Sequence, residues 1–133
     1  MYEFHGWIVL CESPSEIDSG SLTNALMKVR LRISELGFDS TTAQMLLHNG
    51  RHTLVINGYP NRRRSEAVAV KKLLQYLADL LPGSYGLVYE GDEGVELPAG
   101  RGLFAVTVVK RGQLVSTLDP FLSPTIPAVE DAE

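Results

Sequence analysis

Apolar and polar positions alternate along residues 2–11, with Phe4, Ile8 and Leu10 on one side and His5, Trp7 and Val9 on the other, which predicts a strand. The pattern then changes period. Leu22, Leu26, Val29, Ile33 and Leu36 recur at spacings of four and three, one face of a helix. Ser13, Pro14 and Glu16 have the chemistry of a helix start, Gly20 can divide a short first turn from the main body, and Gly37 suits a left-handed C-cap. Residues 42–48 and 51–57 flank Asn49-Gly50, the pair that a two-residue type I′ hairpin favours. Ala43, Met45, Leu47, Leu54 and Ile56 form its more apolar face and are expected to meet the core.

A second helix is predicted to run to about Leu81, burying Val70, Leu73, Leu74, Leu77 and Leu81 and stopped by Pro82-Gly83. Residues 85–90 read as a strand, the glycine-rich acidic residues 91–102 as a loop, and residues 103–110 and 113–118 as a hairpin around Arg111-Gly112. Pro120, Pro124 and Pro127 exclude a helix or a central strand after that. The expectation is a single α+β domain over residues 1–133, with residues 119–133 an extended proline-rich segment. Its antiparallel sheet has about six strands, with two helices on one face in a split βαβ order, β-α-β-β-α-β, plus a C-terminal hairpin. That hairpin either extends the sheet or covers its open face.

Length and composition narrow the class. The 133 residues suffice for one ordinary domain, and 44% hydrophobic with 21% charged residues excludes a wholly disordered chain. The longest apolar run, residues 102–109, is far short of the ~20 residues of a membrane-spanning helix. No basic-then-apolar leader is visible at Met1, so a cytoplasmic protein without a membrane partner is expected. The net charge of −4 argues against nucleic acid as partner, because phosphate neutralisation dominates that kind of affinity. Charge is unevenly spread: residues 51–81 carry six basic and two acidic side chains, residues 82–133 three and eight. The acidic C-terminal third fits either a basic partner or an ordinary solubilising surface.

Candidate chemistry is sparse. Cys11 beside Glu12 lacks the electropositive setting of a reactive thiol, so a structural cysteine is favoured over the nucleophile of a small hydrolase. The hairpin puts His48 and His52 on opposite faces, which leaves no convincing metal set, and no cofactor is expected. Arg62-Arg63-Arg64 precedes Ser65, the expected helix cap, and belongs either to a solvated connector or to an anion contact. Glu90, Asp92, Glu93 and Glu96 form a solvated loop or a contact surface. Trp7 and His5, opposite the face of Phe4, are either covered by the later segments or exposed to a partner. An exposed Trp beside Val9 would make an apolar patch, which favours covering.

Three features are shared with a known family: the opening Tyr2-Glu3-Phe4-His5-Gly6-Trp7-Ile8, the long central hairpin, and the ending Asp119-Pro120-Phe121-Leu122-Ser123-Pro124, Ile126-Pro127 and Glu130-Asp131. In these the chain resembles the immunity protein 7 family of bacterial polymorphic toxin systems, over nearly its whole length. The resemblance implies a cytoplasmic, non-enzymatic antitoxin that binds and neutralises a cognate toxin domain, a nuclease or another toxin acting in the cytosol, by occlusion. An acidic surface would suit a toxin with a cationic substrate groove. The toxin-binding residues expected on this reading are Glu90, Asp92, Glu93, Glu96, Trp7 and His5. The alternative is a small-ligand-binding or regulatory α+β domain with its pocket between sheet and helices.

Overall fold

The computed structural model describes residues 2–12, 22–60, 63–92, 96–97, 100–101 and 104–120, and for residues 63–65, 92, 96–97 and 100–101 the backbone alone. In chain order the elements are β1 (Tyr2–Val9), α1 (Leu22–Glu35), β2 (Ala43–His48), β3 (Arg51–Gly58), α2 (Arg63–Leu80), β4 (Tyr85–Asp92), β5 (Glu96–Leu97), β6 (Gly100–Arg101), β7 (Ala105–Lys110) and β8 (Gln113–Leu118). Six strands form one antiparallel sheet in the order β2-β3-β1-β4-β7-β8. Each helical crossover skips one strand, as the split βαβ order requires, and the closing hairpin extends the sheet at the β4 edge. The described residues of the glycine-rich stretch expected to be a loop lie in strands. β4 continues to Asp92, and β5 pairs with β6 in a small separate ladder.

Turn and cap chemistry explains the boundaries. Asn49 and Gly50 both have positive φ, the type I′ signature, and so do Arg111 and Gly112. Gly37 closes α1 at φ +88°, where its N–H donates to Ser34 O and that of Phe38 to Ile33 O, a Schellman arrangement. The Ser13–Pro14–Glu16 helix start and Gly20 lie outside the described residues. α2 begins at Arg63 rather than at a Ser65 cap, which puts Arg63 and Arg64 in its first turn. Glu66 in that same turn supplies the negative charge that a helix N-terminus favours.

The core lies between the helices and one face of the sheet. Phe4, Ile8, Leu54, Ile56, Val88 and Val109 meet Leu26, Val29 and Ile33 of α1 and Val70, Leu73 and Leu77 of α2. Burying a Leu or Ile fully in this layer contributes roughly 2 kcal/mol. Close contact replaces side chains at two places. The Phe4 ring lies over Gly58, and a Cβ on Gly86 would stand 2.0 Å from Trp7 O. At the far end Ser84 Oγ, itself buried, accepts from Cys11 N–H (3.1 Å) and reaches Cys11 O (3.5 Å), fastening β1 to β4. Leu47, expected in the core, is 61% exposed, because the inward row at that hairpin end runs past the packed layer.

Candidate functional site

The ladder registers decide what shares a face. Trp7 pairs with Val55 of β3, which pairs with Gln44 of β2. On the other side Trp7 pairs with Leu87, Leu87 with Val108, and Val108 with Val115. A straight apolar row therefore crosses β3, β1, β4, β7 and β8 on the face that neither helix covers. Trp7 is 44% exposed and Val115 48%. The later strands extend the sheet edgewise and do not lie over Trp7, contrary to the covering that its apolar character favoured. Tyr85, 40% exposed, meets the Trp7 ring edge to face at 6.4 Å, and its hydroxyl accepts a 2.7 Å hydrogen bond from Arg51 Nη1.

Beside Trp7 a groove of about 550 Å³ is floored by Val55, Leu87 and Tyr89 and walled by Thr41, Thr42, Gln44, Asn57 and His5. His5 is fixed on both sides. Nε2 lies 2.8 Å from Glu3 Oε1, Nδ1 bonds with Asn57 Oδ1, and the ring meets Tyr59 edge to face. Thr41 and Thr42 are set by Asp39. Its Oδ1 accepts from Thr41 Oγ1 (2.5 Å), Thr41 N–H (2.9 Å) and Thr42 N–H (3.0 Å). These bonds, the Thr41 hydroxyl first, hold the Asp39 carboxyl below its ordinary value.

The expected acidic surface does not join this site. Glu90 pairs with Phe4 in the ladder and so faces the helices, opposite Trp7 and His5. Its Oε2 accepts a 2.6 Å hydrogen bond from the Tyr2 hydroxyl, so its charge is used inside the fold. Asp92 stands opposite Tyr2 on the ladder, Glu96 opposite Arg101 in the small β5–β6 ladder, and Glu93 lies outside the described residues. His48 and His52 do fall on opposite faces, through their pairings with Arg51 and Leu47. Among the described residues no three His, Cys, Asp or Glu side chains gather as a metal site would need.

Tyr85, Leu87, Val55 and Arg51 are the residues that sequence reasoning missed. On β4 the more apolar set, Tyr85-Leu87-Tyr89, looks away from the helices and the set carrying Glu90 looks toward them, so alternation alone points to the wrong face.

Fold and site together define an α+β protein whose sheet carries its helices on one side and exposes Trp7 and Tyr85 on the other. The sequence profile of the family described as Immunity protein 7 matches residues 1–131, and the chain belongs to that family. Membership implies an immunity protein directed against a toxin, with the toxin protein as its partner. No curated protein and no solved structure matches the chain. No described helix is long and apolar enough to cross a membrane.

Proposed function

We propose that this chain neutralises its cognate toxin in the cytoplasm by occlusion, docking the helix-free face of its sheet without catalysis. One observation carries the reading: the apolar row Val55–Trp7–Leu87–Val108–Val115, which contains an exposed Trp and has a groove alongside. Interface anchors are typically large aromatics at the middle of a contact, beside pockets that a partner side chain can enter. His5, braced by Glu3 and Asn57, gives the groove a fixed polar wall that needs no reordering on binding. The small-ligand alternative placed its pocket between sheet and helices, but that layer is filled by Phe4, Ile8, Leu73 and Leu77.

The test is protection and binding with the toxin domain encoded by the neighbouring gene, in inactivated form for the binding assay. Trp7→Ala and Leu87→Asn are expected to abolish protection and to speed dissociation by tenfold or more, corresponding to ~1.4 kcal/mol, with unchanged circular dichroism. Full protection by both folded variants would remove this face as the docking site.

A further inference from the structure

Resting on that docking reading, we infer that Arg51 is a preset receptor for a carboxylate of the toxin, so that the face recognises an apolar patch bordered by acidic side chains. Arg51 opens β3 immediately after the type I′ turn, and it is exposed. Its guanidinium reaches across β1 to the Tyr85 hydroxyl on β4 at 2.7 Å. The Tyr85 ring is in turn held edge to face against Trp7. The three side chains form one connected unit, and Trp, Tyr and Arg are the residue types most enriched where interfaces carry their binding energy.

A guanidinium has five N–H donors, and a neutral phenol oxygen takes one without cancelling any charge. Arg32 pairs with Glu35 and the His5 ring bonds with Glu3, and neither contact involves Arg51. The remaining fork is therefore oriented and available, the geometry that binds a carboxylate bidentately. Lys110 adds to the same sign: it follows Val109, the partner of Gly86, which puts it on the face of Tyr85. The charged ladder position at the other end of this face is Glu3, already joined to His5. The hairpin end of the face is thus cationic and its middle apolar.

This pattern differs from what an acidic loop would grip. A face with Arg51 and Lys110 at its rim repels the cationic groove of a nucleic-acid-cleaving enzyme and fits an apolar surface carrying Asp or Glu. Covering Trp7 would also exclude water from the Arg51–carboxylate pair beside it, which strengthens the bond. A phosphate backbone would meet the same cations but not the five-residue apolar row.

The experiment is association and dissociation kinetics with the inactivated toxin domain, at low and high salt, for Arg51→Ala, Arg51→Lys, Tyr85→Phe and Trp7→Ala. Arg51→Ala is expected to speed dissociation about tenfold and to flatten the salt dependence. Arg51→Lys should recover less than half of that loss, and Tyr85→Phe, which removes only the orienting oxygen, should cost a few-fold. Neutralising toxin Asp and Glu residues one at a time should find one whose effect vanishes in the Arg51→Ala background. If Trp7→Ala weakens binding while Arg51→Ala does not, the carboxylate inference fails and the docking face stands. If neither variant changes binding, both fail. Arg51-dependent binding of a short DNA or RNA duplex in place of the toxin would overturn the inference in favour of a nucleic-acid site.

Discussion

The Tyr2 hydroxyl donates to Glu90 Oε2 at 2.6 Å, across neighbouring strands on the helix side of the sheet. A carboxylate that looks in sequence like part of an acidic loop is thereby a brace between the first residue of β1 and the end of β4. Removing the hydroxyl takes this bond from Glu90 in a half-buried setting. Tyr2→Phe is expected to lower stability by about 1.5 kcal/mol, the lower end for a bond to a charged group because Glu90 keeps some contact with water. Denaturant midpoints at neutral pH check this, and toxin association should be unchanged.

Gly86 sits where β4 passes closest to β1. Because an added Cβ would meet Trp7 O at 2.0 Å and Ile8 Cα at 2.7 Å, both of them backbone, nothing flexible can yield. Gly86→Ala should cost at least about 3 kcal/mol, at the upper end of overpacking effects. Gly37→Ala, with no atom within 4 Å of the new Cβ but φ at +88°, should cost only about 1 kcal/mol, the strain of the left-handed region. Thermal melts of the two variants should separate them clearly.

Arg111 occupies the first central position of a type I′ turn at φ 49°, the place that Asn49 holds in the other hairpin. Arginine has no local bond to offset that conformation, whereas asparagine tolerates it. Arg111→Asn is expected to raise stability by about 0.5–1 kcal/mol, read as a higher denaturant midpoint with an unchanged slope.

Asp39 gives a pH dependence. Its carboxyl is held below the ordinary value, so the stability it lends the 39–42 turn is complete above that value and is lost as pH falls through the lowered one. Nuclear magnetic resonance of the Thr41 and Thr42 amides should therefore show them protected at neutral pH and released only in strong acid. In Asp39→Asn the acid step should disappear.

The parts legible in sequence were those fixed by local chemistry. Asn49-Gly50 gave the hairpin and Gly37 the end of α1, because each requirement is met within a few residues. The inward row of Phe4, Ile8, Leu26, Val29 and Leu73 followed from periodicity. The site depended on pairings between distant segments. Whether β7 and β8 would cover Trp7 or extend the sheet beside it was a choice of neighbour, and alternation within each strand is identical in the two cases. Glu90 was misplaced for the same reason: its face depends on the register of β4 against β1, and the more apolar row of β4, Tyr85, Leu87 and Tyr89, is the one that looks away from the helices. Leu47 shows the limit of pattern at an element's end, where the strand outruns the layer packed above it.

In β1 and β4, odd-numbered positions look outward and even-numbered positions look inward, so the two vocabularies of the sheet are interleaved letter by letter. If the docking proposal holds, an altered toxin would select changes at residues 5, 7, 85, 87 and 89 while residues 4, 8 and 88 keep the core. Recognition and folding would then be inherited on the same strands but drift on separate clocks.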